Sequence, residues 1–174
     1  MVLGSATRYM RAALGAVLFA ACALPAAAQS AQEVRQDYKN WQLYCPAPPA
    51  GGKQDCEIHQ LLKNKEGKLV AGMYGTRRSG NTLLMVRVPL GVLLNKKMTL
   101  QIDNGIGTDA ITFLRCDVNG CIAQILASDA FLNSLRGGKS AKLTVFADTN
   151  RPIPIEFNLE GFADAEKALA ARPG

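Results

Sequence analysis

Four cysteines constrain this chain more than any other feature, because the N-terminal segment predicts an oxidising compartment. They are Cys45, Cys56, Cys116 and Cys121. An even number of cysteines in an exported protein implies disulfides, and four cysteines allow three pairings. We favour Cys45–Cys56 and Cys116–Cys121, because each pair brackets a segment rich in turn residues. Proline and glycine fill the first segment, and asparagine and glycine lie in the second.

The N-terminal segment has the three parts of a secretory signal peptide. Arg8 and Arg11 precede an apolar run over residues 12–24, and a run of three alanines ends at Ala28, directly before Gln29. A basic start, a short apolar stretch and an Ala-x-Ala site are typical of such signals. The apolar run is also short and rich in alanine for a membrane span. We therefore predict cleavage after Ala28.

This cleavage divides the chain into a signal peptide over residues 1–28 and a single domain over residues 29–174. Cys22 lies inside the signal, where a lipoprotein would carry its lipid-modified cysteine. The bulky Phe19 does not fit that motif, so cleavage after Ala28 is favoured over lipidation of Cys22. The predicted location is the periplasm, with association with the outer membrane or secretion as further options.

Composition limits the classes of partner. The whole chain has 20 basic and 14 acidic residues, and losing the two signal arginines leaves a mature net charge of +4. A mildly basic exported protein can favour anionic lipid or acidic polysaccharide, although solubility alone explains such a charge. No later apolar run is long enough to span a membrane. Aromatic residues are not interleaved with the basic ones, which argues against nucleic acid.

Alternating apolar and polar residues predict a mainly β fold. The predicted strands cover residues 38–44, 55–62, 69–76, 83–88, 98–103, 111–114, 122–126, 142–145 and 153–158. Pro154 indicates an edge strand, because proline donates no ladder hydrogen bond. Residues 29–36 are polar and predict a loose arm, and residues 77–81 predict a basic turn. Many short strands separated by turns favour a β-sandwich or an open-barrel-like single domain.

One or two short helices complete the predicted fold. Ser128 is placed to cap a helix that runs through Leu135 and stops at Gly137-Gly138. An alanine-rich segment over residues 164–171 predicts a second helix at the C-terminal end. Trp41 is the only tryptophan, and we expect it to be largely buried near the Cys45–Cys56 bridge.

One weak cluster of candidate catalytic or metal-binding side chains surrounds His59. His59 is the only histidine, and Asp55 and Glu57 precede it at a spacing of two residues. Residues at that spacing share one face of a strand, so they could form a metal or acid–base site. A solvated polar face, with Cys56 and Ile58 turned inward, is the favoured interpretation. We predict no catalytic residue, no metal and no cofactor.

Basic residues on predicted turns offer a candidate anion-binding surface. Arg77, Arg78, Lys96 and Lys97 would form it if their turns converge. A solvated rim explains the same residues without a ligand. Lys63, Lys65 and Lys68 occupy another predicted turn.

An ordered set of motifs resembles the invasion-associated locus B family. The motifs are Tyr38-x-x-Trp41-x-x-x-Cys45, Cys56-Glu57-Ile58, Val88-Pro89-Leu90-Gly91, Phe113-x-x-Cys116-x-x-x-Gly120-Cys121 and Leu159-x-Gly161-Phe162. The resemblance implies an exported protein of Gram-negative bacteria, from a family named for entry into host red cells. It also implies paired cysteines at all four mature positions. It provides no established active site to transfer to this chain.

These observations support three hypotheses of different classes. The leading one is an exported non-enzymatic envelope protein that acts through a binding surface, in envelope maintenance or in host-cell invasion and virulence. Its partner would be an unknown component of the envelope or of the host surface. The alternative is a periplasmic carrier of an anion or small ligand, with a pocket near Arg77, Arg78 and Lys97. A redox or hydrolytic enzyme using His59 or the Cys116–Cys121 pair is the least favoured.

Intact mass tests the predicted processing and bridging together. We expect protein from its native envelope to begin at Gln29, to resist alkylation before reduction, and to gain four alkyl groups after reduction. This result follows from cleavage after Ala28 and two structural disulfides. A lipid-modified Cys22, or two thiols that are free before reduction, would contradict it.

Overall fold

Two antiparallel sheets face each other in the computed structural model, which describes residues 32–172. The larger sheet has seven strands, in the order β1 (Val34–Tyr38), β2 (Trp41–Cys45), β3 (Glu57–Lys63), β4 (Leu69–Arg78), β5 (Asn81–Val88), β9 (Gly120–Ile125) and β8 (Ile111–Asp117). The smaller sheet has four strands, in the order β11 (Pro152–Asn158), β10 (Ser140–Phe146), β6 (Thr99–Ile102) and β7 (Gly107–Thr108). The two helices are α1 (Asp129–Gly137) and α2 (Phe162–Ala170).

This architecture confirms the predicted mainly β sandwich with two short helices. The predicted signal peptide and Cys22 lie outside the described residues. Pro154 does lie on an edge strand, since β11 pairs only with β10 in the smaller sheet. Edge strands tolerate proline because one side of the strand forms no ladder hydrogen bonds.

Apolar side chains at alternate strand positions form the core between the sheets. Leu43, Ile58 and Val86 of the larger sheet are fully buried, as are Leu100 and Leu143 of the smaller one. Period-two alternation puts these residues on one face of each sheet. Burying each such side chain contributes about 1.5–3 kcal/mol, so the facing surfaces hold the sheets together.

Both helices pack on the same core. The hydroxyl of Ser128 accepts a hydrogen bond from the backbone N–H of Phe131 at 3.2 Å, and Gly138 ends α1, as the sequence predicted. Helix α2 begins at Phe162, two residues before its predicted start. Gly161 precedes it with φ +95°, and a Cβ there would overlap the carbonyl oxygen of Tyr38. Only glycine allows this close approach.

The predicted loose arm is wrong over residues 34–36, which belong to β1. This strand pairs with β2 across a turn at Lys39 and Asn40, and Lys39 adopts φ +56°. The predicted single strand over residues 38–44 is therefore the end of β1, the turn and most of β2. Strand β1 lies at a sheet edge and exposes three of its five residues. An exposed edge strand lacks the apolar alternation on which the prediction depended.

The predicted basic turn over residues 77–81 is also shorter in the structure. Strand β4 extends through Arg78, β5 begins at Asn81, and only Ser79 and Gly80 connect them. Both connecting residues have positive φ, as in the two-residue turns that match the twist of a hairpin. The two arginines therefore belong to a strand and not to a loop.

Each disulfide joins neighbouring strands of the larger sheet, in the pairing that the sequence favoured. Cys45 and Cys56 close the loop between β2 and β3. Cys116 and Cys121 face each other directly in the β8–β9 pair. The bridges thus tie two hairpin connections of the same sheet.

A buried glutamine connects the two sheets. The Gln60 amide nitrogen of β3 donates to the carbonyl oxygen of Asn158 at 2.7 Å, and the amide oxygen accepts from the Asn158 N–H at 2.8 Å. The indole N–H of Trp41 donates to the same carbonyl at 3.0 Å. The Trp41 ring is 1% exposed and meets Phe162 edge-on, with ring centroids 4.9 Å apart. The predicted burial of Trp41 is confirmed.

A second polar contact joins the helices to the larger sheet. Arg136 of α1 donates two hydrogen bonds of 2.8 Å to the carboxylate of Glu166 on α2. The Thr82 hydroxyl of β5 donates to the same carboxylate at 2.9 Å. These hydrogen bonds, with Arg136 the largest contributor, lower the pKa of Glu166 against the opposing effect of burial. Glu166 is 6% exposed, so the carboxylate requires these partners.

Replacing Gln60 tests the contact between the sheets. Gln60→Leu should lower the free energy of unfolding by about 1–3 kcal/mol, because the Asn158 backbone loses two hydrogen bonds in a part-buried position. Gln124→Leu, on the opposite face of the larger sheet, is the control and should change stability by less than about 0.5 kcal/mol. Denaturant unfolding measures both. Equal stability of Gln60→Leu and wild type would contradict the proposed role.

Acid pH tests the Glu166 contact. Because its pKa is lowered on folding, Glu166 contributes stability above the ordinary carboxyl pKa, and this is lost as pH falls through the folded pKa. Glu166→Gln should therefore be less stable than wild type near pH 7, and the difference should shrink between about pH 5 and 3. Asp164→Asn removes an exposed carboxyl from the same helix as a control. A difference that stays constant with pH would disprove the ionic contribution.

Candidate functional site

The outer face of the larger sheet is the candidate functional site. The smaller sheet and both helices contribute to the core on its inner face. The outer face instead carries polar, charged and aromatic side chains at the positions that alternate with the core. Members of this outer face include Arg35, Gln42, Tyr44, Glu57, His59, Tyr74, Met85, Arg87, Ile122, Gln124 and Arg115.

A row of side chains crosses five neighbouring strands of this face. The Arg35 guanidinium of β1 lies 4.4 Å from the ring centroid of Tyr44 on β2. The Tyr44 ring is 6.4 Å from His59 on β3, and His59 is 6.0 Å from Tyr74 on β4. Arg87 of β5 continues the row. We call these five residues the outer-face row. Their contacts arise because cross-strand neighbours on one face of a sheet lie within reach of each other.

His59 lies in the middle of this row, with Glu57 beside it. The Glu57 carboxylate is 3.0 Å from Nδ1 of His59, so the two predicted site residues do share one face. Asp55 precedes β3 and does not belong to the strand. The expectation of a solvated face is wrong for His59, whose side chain is 12% exposed because tyrosines flank it on both neighbouring strands. Residues 32–172 contain no group of three His, Cys, Asp or Glu side chains suited to a metal.

Tyr74 lies flat along its strand because Gly72 has no side chain. A Cβ at Gly72 would come within 2.8 Å of the Tyr74 hydroxyl oxygen. This arrangement brings the hydroxyl beside Arg87, which pairs with Gly72 on the next strand. Burial raises the pKa of Tyr74, and the neighbouring arginine partly opposes that shift. The ring thus presents a broad surface at the centre of the outer face.

Arg87 connects the centre of the face to the β8–β9 turn. Its guanidinium donates to the carboxylate of Asp117 at 3.1 Å. The Asn119 backbone N–H donates to the same carboxylate at 2.8 Å. The Asn119 hydrogen bond, and then Arg87, lower the pKa of Asp117. Asp117 is thereby held as an anion at the base of the turn.

Two open clefts adjoin Tyr74 and Arg87, and both residues line each cleft. The first has a volume of about 370 Å³ and extends over Met85, Leu114 and Arg115 toward β8. The second, of about 590 Å³, extends toward the turns at one end of the sheet. Both volumes lie in the range of small-ligand sites. The arrangement can therefore contact a ligand through aromatic, apolar and cationic groups together.

The four residues of the candidate anion-binding surface, Arg77, Arg78, Lys96 and Lys97, do not line one common cleft. Arg77 donates to Thr82 and to the Gly80 carbonyl, and it lies at the end of β4 with Arg78. These two arginines line a cleft of about 220 Å³ that neither Lys96 nor Lys97 lines.

Other charged residues lie beside Arg77 and Arg78, and one pairs with Lys97. Asp55, Glu57 and Arg172 also line the cleft of Arg77 and Arg78, which makes it mixed in charge. Lys97 instead pairs with Asp109 at 3.1 Å, in the segment between β7 and β8. Anion binding at these residues stays a prediction.

Most of the outer-face row is not apparent from the sequence. Tyr44, Tyr74 and Arg87 lie in predicted strands and have no predicted role, although Arg87 is the one charged residue in the otherwise apolar segment 83–88. Gly72 within a strand was a second available signal, because strand glycines often mark a close approach. Neither signal identifies its spatial neighbours, which come from other strands.

The fold and its bridges define a class, namely small two-sheet β-sandwich proteins in which two disulfides tie hairpins of the larger sheet. Over residues 32–172, neither helix is long and apolar enough to cross a membrane. The two disulfides are consistent with an exported protein.

Comparison with known proteins identifies the family. Residues 41–170 match the model of the invasion associated locus B (IalB) protein family, and the chain belongs to that family. It is 26% identical over 144 residues to invasion protein B of Bartonella bacilliformis, which covers 81% of this chain and 77% of that protein. The crystal structure of invasion associated protein B from Bartonella henselae superimposes with a TM-score of 0.68 at 26% identity, covering 79% of this chain and 95% of that one.

Proposed function

We propose that this protein is exported and acts without catalysis, by binding a component of the cell envelope or of a host surface through the outer face of its larger sheet. The observation that carries the proposal is the outer-face row. Five side chains from five strands form one continuous surface of cations and aromatic rings, and two clefts adjoin it. Surfaces of this composition are common in recognition sites, where arginine and tyrosine carry much of the binding energy.

Among residues 32–172, the inner face of the larger sheet offers no comparable site. Its apolar side chains pack against the smaller sheet and the helices. The buried polar side chains of Gln60 and Glu166 form hydrogen bonds within the fold. A solvent-facing sheet surface with ordered aromatic rings therefore supports a role in binding. The names of the two relatives refer to invasion, which supports contact with a host cell as one setting for that binding. Envelope maintenance is the other setting.

Site-specific cross-linking tests this function. A photoreactive side chain at Thr112, an exposed position on β8 beside the outer face, should capture an envelope component from native extracts. The same group at Lys142, an exposed position on β10 in the smaller sheet, is the matched control and should capture little. Apart from the cross-link itself, mass spectrometry should show no chemical change in the captured component.

Arginine variants test whether the outer face itself makes the contact. Arg35→Ala with Arg115→Ala removes one exposed cation near each edge of that face and should lower the yield at Thr112 at least about fivefold, as expected when charged contacts are lost. Lys142→Ala with Arg151→Ala should leave the yield unchanged. Equal capture at Thr112 and Lys142, or no capture at either position, would overturn the proposal.

A further inference from the structure

Three turns meet at one end of the larger sheet and line the cleft of about 590 Å³. They are the β3–β4 turn over residues 64–68, the bend at Pro89 and Leu90 after β5, and the β8–β9 turn at Val118 and Asn119. We call this end the basic tip. The antiparallel order of the strands brings these three turns to the same end, although they are far apart in sequence.

Each of these segments exposes an apolar side chain. Val118 is 91% exposed, Leu90 is 56% exposed and Val70, just after the first turn, is 39% exposed. Single exposed apolar residues are ordinary on protein surfaces. Three that line one cleft from three separate segments form a patch, and such patches mark contact with a protein or a membrane.

Cations lie beside this patch. Lys63 at the end of β3 and Lys65 and Lys68 of the β3–β4 turn are exposed, as is Glu66 of the same turn. Within residues 32–172 none of the three lysines forms an ion pair. Arg87 lines the cleft itself. No acidic residue lines this cleft, and Asp117 beside it is already bonded to Arg87 and Asn119. Three lysines outnumber the one carboxylate of this turn, Glu66, so the tip carries a net positive charge beside an apolar centre.

We propose that the basic tip docks on the surface of a membrane containing anionic phospholipid. This inference rests on the proposed function, since it names the chemistry that one end of the outer face contacts. Apolar side chains of such a surface enter the boundary between head groups and acyl chains, while lysines stay at the phosphates. Lysine suits this role because it is a flexible point charge that requires no fixed partner geometry. The net positive charge and the exposed apolar side chains of the basic tip together favour anionic lipid over an uncharged partner.

Vesicle binding tests the inference with the mature protein. We expect co-sedimentation with vesicles of phosphatidylcholine containing about one-third phosphatidylglycerol, and little with pure phosphatidylcholine vesicles. Binding should weaken as salt rises, because ions screen exposed charges beyond about 10 Å at 0.1 M. Equal binding to both vesicle types, or binding to neither, would overturn the inference.

Charge-reversal variants locate the contact. Lys65→Glu with Lys68→Glu should weaken binding to the anionic vesicles at least about tenfold, because two attractive charges become repulsive. Lys96→Glu with Lys142→Glu changes net charge equally at exposed sites outside the cleft and should have a much smaller effect. Equal losses in the two variants would show that only net charge matters and would contradict docking by the tip.

Apolar variants test insertion separately from charge. Val118→Asp should weaken vesicle binding at least about fivefold, because a charged side chain is excluded from the acyl boundary. Leu126→Asp is the matched control, as Leu126 is 61% exposed and follows the opposite end of β9. Unchanged binding of Val118→Asp would overturn insertion by the tip. Thermal unfolding of each variant verifies that it is folded.

The outcomes also separate this inference from the proposed function. If vesicles are not bound while Thr112 still captures a component through Arg35 and Arg115, membrane docking fails and the proposed function stands. If Thr112 captures nothing while vesicle binding depends on the tip as expected, the outer-face proposal fails and the tip remains a separate lipid-binding site.

Discussion

The contact on which the rest of the structure depends is the one between Gln60 and the backbone of Asn158. Two hydrogen bonds from one side-chain amide satisfy both backbone groups of a residue at the end of β11, as a neighbouring strand would. Trp41 donates to the same carbonyl and packs on Phe162. Apolar packing alone would hold the sheets together but would leave their relative position weakly determined, because hydrophobic contacts are not directional. The directional hydrogen bonds that Gln60 and Trp41 form with Asn158 specify the relative position of the two sheets.

The contact of Gln60 and Trp41 with Asn158 also explains why the two faces of the larger sheet differ. With the smaller sheet and α2 held against the inner face, every second side chain of the strands is left for the outer face. These positions carry rings and charges, and they contact each other across strands instead of packing beneath another layer. The disulfides tie the β2–β3 and β8–β9 connections of the same sheet. The Cys116–Cys121 bridge thereby supports the turn that carries Val118.

Much of the fold was predictable from local signals. Alternation predicted most strands, Ser128 and Gly138 bounded α1, and turn-rich segments between cysteines indicated the disulfide pairing. Strand β1 is not predicted because it lies at a solvent-exposed edge and its sequence has no apolar alternation. The site was far less predictable. Glu57 and His59 were recognised as sharing a face because they lie on one strand, whereas the tyrosines beside them come from other strands.

The sequence by itself determined the mainly β class and the family, and it favoured the two helices and the disulfide pairing that the structure has, because each depends on residues close in the chain or on ordered motifs. The tertiary structure alone decided which turns meet at one end of the sheet and which side chains form the outer-face row. It separated Arg77 and Arg78 from Lys96 and Lys97, and it gathered Val70, Leu90 and Val118 around one cleft. The reason is physical: strand order and register set these neighbours, and both emerge only when the whole core packs.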